Sequence, residues 1–410
     1  MINKLYGDGI HDDTLALQEM IDTTAGGVTL PFPEKCYLIS RPLELPSNFK
    51  LTLPRYAEIK LMTGSDCVML KNKTVDGCYE NTDQELFGIL NSCSPDHLSI
   101  NIEVEGGIWN FNNKEQTPNP IVTGCLEPKN YGGLGFIFYN VKNLTISNMT
   151  LKDPVTFAVT LDTVSYFTVK DIIFDFNYGN PLATNMDGIH LDGNCHFGHI
   201  QNLKGACYDD LVALNADEGT RGPITNITID GIYSEDCHSA VRLLSANYPV
   251  KNIHITNVYG TYFQYCIGVT RFYETKDKGF YDGITLDHIY ASKAERLPVY
   301  NKRPEDYVYP LIYVADKLYV KSLQICDLHR RETLIPVETS HLAENTVVET
   351  LVLNNISSEN HTAFDRVPLV QNLAEIKHLH MDALYEDGEA FDWETMSRVT
   401  VSANENGDGR

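Results

Sequence analysis

Asn226-Ile227-Thr228-Ile229-Asp230-Gly231 and Asn252-Ile253-His254-Ile255-Thr256-Asn257 are the stretches that decide the fold. Each alternates apolar and polar side chains for about five positions, as a strand with one buried face does, and then turns at Asn, Asp or Gly. Similar units lie at residues 143–148, 167–171, 283–287, 349–354 and 376–381. The second stretch begins 26 residues after the first (252−226), and Gly283 follows Asn252 by 31 (283−252). Imperfect repeats of about 20–35 residues, made of short strands without long helices, predict an all-β solenoid, a single-stranded right-handed parallel β-helix with one coil per repeat. The Asn and Asp residues at the unit ends are read as turn chemistry.

Outward from these units, Asp12-Asp13-Thr14 provides N-cap and first-turn residues for a short cap helix carrying Leu15, Leu17, Met20 and Ile21, ended by Gly26-Gly27. The expected organisation is one domain over residues 1–400, with the cap over about 1–50 and coils over about 50–390, followed by a polar tail at 401–410. Residues 292–316 are aromatic, charged and Pro-containing, and are expected to form a loop on the side of the coil.

Of the 410 residues, 43% are hydrophobic, enough for a core that grows along the solenoid axis. The formal charge of −23 argues against nucleic acid or an anionic membrane as partner. No segment reaches the roughly 18 consecutive apolar residues of a membrane span. Met1-Ile2-Asn3-Lys4-Leu5-Tyr6 is not followed by an apolar leader core, so a cytoplasmic protein is expected, or a secreted one if a leader has been removed. The ten cysteines form no C-x-x-C pair, and Cys195, Cys207, Cys237 and Cys266 are expected to stack as small apolar side chains inside the coil.

Five chemistry-bearing residues recur at close to coil spacing. Asp187, Asp209 with Asp210, His238 and Arg271 are separated by 22 (209−187), 28 (238−210) and 33 (271−238) residues. Equivalent positions on successive coils stack about 4.8 Å apart, which places these side chains on one face. Carboxylates held so close cannot all ionise freely, so one becomes a general acid while its ionised neighbours activate water. That division of labour is what glycoside hydrolysis requires. Asp209 and Asp210 are adjacent, and both face a cleft only at a bulge or turn. Arg242, inside Ala240-Val241-Arg242-Leu243-Leu244, needs a carboxylate partner or a ligand. Asn185 is read as a turn residue that helps orient Asp187. His190, His196 and His199 show no strand-face logic with the aspartates, so neither metal nor cofactor is expected, and Asp217-Glu218 is read as a solvated loop.

Tyr6-Gly7-Asp8-Gly9-Ile10-His11-Asp12-Asp13-Thr14-Leu15-Ala16-Leu17-Gln18 resembles the opening of pectin-active β-helix proteins, and Gly106-Gly107-Ile108-Trp109-Asn110 stands where such proteins carry a Gly-rich turn. The run from Asn185 to Tyr273 resembles glycoside hydrolase family 28, the polygalacturonase group, with its Asn-Thr-Asp, Gly-Asp-Asp, Gly-His-Gly and Arg-Ile-Lys motifs. The matching segments are Asn185-Met186-Asp187, Tyr208-Asp209-Asp210, Cys237-His238-Ser239 and Arg271-Phe272-Tyr273. The resemblance implies Asp209 as general acid, Asp187 and Asp210 positioning and deprotonating the water, His238 orienting the acid, Arg271 binding substrate, and inversion at the anomeric carbon. Tyr273 stands where the family has a lysine that holds a sugar carboxylate, and a phenol supplies no positive charge. The function expected is a glycosidase acting on a pectin-derived or related plant glycan. The rivals are a polysaccharide lyase on the same fold and a non-catalytic, tailspike-like carbohydrate-binding β-helix.

Overall fold

The computed structural model describes residues 4–74, 97–118, 133–273, 275, 277–294, 309–331, 337–359 and 368–396. Their strands stack in two parallel sheets of 16 and 11 strands that wrap one continuous apolar core, a right-handed parallel β-helix. Among the described residues one antiparallel pair, Glu375–Glu386 with Glu389–Ala390, ends the larger sheet. No helix among the described residues is long and apolar enough to cross a membrane.

The long strands of the larger sheet are bent, and their sequences say where. In Ile224–Cys237 the core-facing residues include Ile227, Ile229 and Ile232, and the two-residue alternation slips by one between the last two. The slip falls at Gly231, whose φ is +86°. The same slip recurs at Asn257 (φ +58°), Asp327 (φ +50°) and Asn355 (φ +52°), each followed by a core Val, Leu or Ile. A left-handed residue turns the strand onto a new face, and Gly, Asn and Asp tolerate that region best. The Asn side chains also tie neighbouring coils: Asn257 donates to Asp230 (2.7 Å) and Asn252 to Asn226 (3.0 Å). Ile227, Ile253, Ile284, Leu323 and Leu351 pair in register down the stack, so each coil buries apolar area against the next. At Gly260 (φ +131°) a Cβ would fall 1.6 Å from the Ser234 carbonyl oxygen, and only glycine lets these two coils approach.

The cap helix spans Thr14–Thr23 and buries Ala16, Leu17 and Ile21. Asp13 occupies its N-cap position without capping. Its carboxylate accepts the backbone N–H groups of Tyr6 (2.6 Å) and Gly7 (3.1 Å), pinning the preceding segment, while Asp12 accepts from Thr14 N–H (2.9 Å). Gly27–Thr29 pairs in parallel with Phe49–Thr52. Residues 292–316 are not one side loop. Gly279–Lys293 is a full strand, and Ile312–Val314 pairs with Ile267–Thr270 because Ile312 and Val314 fill the core stack. The intervening 295–308 and the tail at 401–410 lie outside the described residues.

Candidate functional site

The smaller sheet builds the site. Val159–Asp162, Ile189–Leu191, Asp210–Asn215, Ser239–Leu244 and Ile267–Thr270 are neighbours in it. Leu211 and Val212 are consecutive and both in the core, so alternation breaks just after Asp210 and frees its side chain to leave the core. Asp209 sits one residue before the strand, in a turn. That turn lets two adjacent aspartates converge. Asp187, two residues before Ile189, is the equivalent of Asp210 one coil earlier, with the Gly188 N–H donating to the Asp210 carbonyl at 3.0 Å. One oxygen from each of Asp187, Asp209 and Asp210 lies within 4.8 Å of the others. The three are 1%, 4% and 0% exposed.

Each carboxylate has a neighbour of its own. Asp210 pairs with Arg242 (Nε to Oδ2, 2.8 Å) and accepts from Ser239 Oγ at 2.5 Å. Asp209 faces His238 (Oδ1 to Nδ1, 3.6 Å), an ion-pair separation longer than a hydrogen bond. Asp187 accepts from His190 Nδ1 at 2.7 Å. His190, Ala213, Arg242 and Gly268 are in register on successive coils, and the small residues leave room for the large ones. The His190 ring stacks on Phe157 (centroids 3.9 Å, 7° between planes). Arg242 keeps 20% of its side chain exposed, which opens the site to solvent.

Burial pushes Asp210 up to about 7, with Asp209 and Asp187 adding to the rise and Arg242 opposing it. Burial also raises Asp187 against the His190 hydrogen bond. Burial and mutual proximity thus favour a proton on the Asp187–Asp210 pair. A carboxyl raised in the folded state contributes stability that is present below about pH 4, its ordinary range, and lost as pH rises towards 7. The expected result is an unfolding temperature that falls between about pH 4 and 7, with a shallower fall in Asp210→Asn. Calorimetry at constant ionic strength checks it, and identical slopes in the two proteins would contradict it.

The remaining residues singled out in the sequence divide. Tyr273 donates to Glu218 Oε1 at 2.8 Å, and burial and that carboxylate keep its phenol protonated. Arg271 bonds Thr275 (Nη2 to Oγ1, 2.9 Å) and contacts none of the three aspartates. The coil partner of His238 is Gln264, whose N–H donates to the His238 carbonyl at 2.9 Å. Arg271 lies seven residues further along the chain, past the strand end at Thr270. Asn185 is half-buried in a left-handed turn (φ +52°).

Two sequence readings are corrected. Asp217 and Glu218 are 2% and 6% exposed, not solvated. Asp217 accepts the Ala246 (2.6 Å) and Asn247 (2.9 Å) backbone N–H groups, and Glu218 accepts from Asn215 at 2.8 Å. Glu218 is also 3.0 Å from His190 Nε2; burial opposes its ionisation, but His190 and Tyr273 outweigh it and hold it at about 2. His190 is not a bystander, since it bridges Asp187 to Glu218 from the centre of the face. The missed signal was parity. Ile189-His190-Leu191-Asp192 alternates apolar and polar side chains, as a strand with one polar face does. Of the four cysteines, Cys207 and Cys237 stack (Sγ to Sγ, 3.6 Å), whereas Cys195 bonds the Leu161 carbonyl, on another part of the coil.

No family model matches the chain, and no curated protein matches its sequence. The fold defines its class: it is a parallel β-helix protein with an N-terminal helix. Among solved structures it is similar to PfbA, a surface adhesin of Streptococcus pneumoniae, at 16% identity over 94% of this chain and 89% of that one, with a TM-score of 0.55. It is also similar to a tailspike protein of E. coli bacteriophage HK620 in complex with a pentasaccharide, at 12% identity and a TM-score of 0.60. That match covers 94% of this chain and 65% of the tailspike.

Proposed function

We propose that this protein is a glycoside hydrolase acting on a pectin-derived or related plant glycan. The observation that carries the reading is the trio Asp187, Asp209 and Asp210, with oxygens within 4.8 Å of one another beside His238 and Arg242. In this reading Asp209, the most exposed of the three at 4%, is the general acid that protonates the leaving oxygen. His238 orients it. Asp187 and Asp210, each held by a cationic neighbour, position water, and whichever of the two is ionised takes its proton. Tyr273 is committed to Glu218, so a sugar carboxylate finds no lysine-like charge there.

Inversion was the expectation from the family resemblance. The anomer released first, read by NMR, decides the stereochemistry. A panel of oligosaccharides followed by reducing-end and ultraviolet readouts together tests the reaction class. New reducing ends without ultraviolet absorbance are expected. Unsaturated, absorbing products would establish a lyase instead, and binding without any cleavage would establish a glycan-binding protein. The solved tailspike and adhesin share this fold, so binding alone is the reading to beat.

A further inference from the structure

On the far side of His190 from Asp187 lies a second buried group that the proposed hydrolysis does not use. Asp162, Asp192 and Asn215 occupy equivalent positions on three successive coils, one residue beyond the paired Leu161, Leu191 and Leu214. All three are 0% exposed. Asp162 accepts from the Thr220 N–H (2.8 Å) and the Thr163 hydroxyl (2.8 Å). Asp192 is poorly satisfied: its Oδ1 is 3.3 Å from His190 Nε2, an ion-pair contact outside hydrogen-bond geometry, and its Oδ2 has no hydrogen-bond partner. Nor does Asn215 Oδ1, on a side chain whose amide nitrogen contacts both Glu218 and His190. Thr160 Oγ1, beside His190 in register, is also without a partner.

Gly219 has φ +56°, and a Cβ on it would fall 2.4 Å from Asp162 Oδ2 and 2.6 Å from Asp192 Oδ2, so only glycine lets both carboxylates pack this close to the backbone. The two carboxylates are therefore close neighbours beside this glycine. One oxygen of Asp192, one of Glu218 and a ring nitrogen of His190 lie within 4.8 Å of one another. A buried, ionised carboxylate without a partner is strongly unfavourable, and two close together compound the cost. His190 supplies at most one positive charge and already serves Asp187 and Glu218. A proton shared between Asp162 and Asp192 would relieve the charge, but it would leave the Asn215 carbonyl and the Thr160 hydroxyl unsatisfied. Carboxylates mixed with neutral amide and hydroxyl oxygens are the donor set of a hard cation.

We propose that the buried oxygen cluster beside Gly219 binds one calcium ion, with the Asp162 and Asp192 carboxylates and the Asn215 carbonyl oxygen as protein ligands. Calcium suits a closed set of protein oxygens better than magnesium, which retains much of its water. The proposal stands independently of the hydrolase reading, because these ligands lie on successive coils past His190 and not in the aspartate trio.

The test uses the full chain, stripped with a chelator and titrated with Ca²⁺ at neutral pH. Native mass spectrometry is expected to show one ion per chain, and the unfolding temperature to rise with Ca²⁺ concentration. Asp192→Asn keeps the side-chain size and is expected to abolish both responses, whereas Asp209→Asn keeps both. Should Asp192→Asn not fold, Asp162→Asn and ion uptake by the wild type carry the test. No uptake by the wild type, uptake that survives in Asp192→Asn, or uptake lost only in Asp209→Asn would each overturn the proposal. A calcium-blind protein whose pH-dependent stability disappears in Asp192→Asn would assign the cluster to a shared proton instead, and so would also overturn it.

Discussion

Asp209→Asn is expected to lower turnover by about 10²–10⁴-fold on any glycan the wild type cleaves, without changing the unfolding temperature. The substitution keeps the shape of the side chain and removes only its ability to give up and regain a proton. Asp209 suits that task by position. It stands in a turn and not in the sheet, and no residue is more exposed within the trio. Asp187 and Asp210 are instead immobilised by His190, Arg242 and Ser239. Because the change is local and isosteric, the variant should bind the same oligosaccharide with near wild-type affinity. The two measurements together, turnover and affinity, separate a catalytic loss from a folding loss. Ordinary turnover in a correctly folded Asp209→Asn protein would end the assignment of the trio as catalytic.

The second large effect concerns stability. Arg242→Met is expected to cost about 3 kcal/mol, the lower end of the range for breaking a buried ion pair, because Arg242 is one-fifth exposed and partly screened. The penalty arises from what remains: without the guanidinium at 2.8 Å, Asp210, 0% exposed, must either hold an unpaired charge or take up a proton. Met retains much of the aliphatic stem, so little packing is lost. Arg242→Met combined with Asp210→Asn should recover most of the loss, since a neutral amide carries no unpaired charge. Denaturant unfolding of wild type, both single variants and the double variant measures the coupling. A single-variant loss below about 1 kcal/mol would mean that the pair is worth no more than a surface salt bridge.

The fold was legible because it repeats. Ile227, Ile229, Ile253 and Ile255 announce buried faces by alternation, and the Asn and Gly residues between them mark bends that the backbone makes with positive φ. Such signals are local, and each coil restates them. The site was legible in part for the same reason. Asp187 and Asp210 sit one coil apart, and stacking brings anything at that interval together. Arg271 does not stack in this way. Its interval to His238 looked like one coil, but coils vary in length, and Arg271 falls beyond the strand that follows. Glu218 shows the converse. Flanked by Asp217 and Gly219, it reads as a solvated turn, and only the closure of the neighbouring coils over it makes it a buried partner of His190 and Tyr273.

By itself, the sequence determined the coil, its core-facing residues and the chain positions at which it bends, because alternation and left-handed turn residues act over a few neighbours. Which polar residues meet was decided only by the tertiary structure. Register between coils depends on the length of every intervening turn, and that sum is not local. The break in alternation at Leu211-Val212 turned Asp210 out of the core. Pairing across three coils placed His190 between Asp187 and Glu218 and set Asp162 beside Asp192. A charge inside an apolar strand foretold that Arg242 needed a partner; only the stacking of the coils named Asp210.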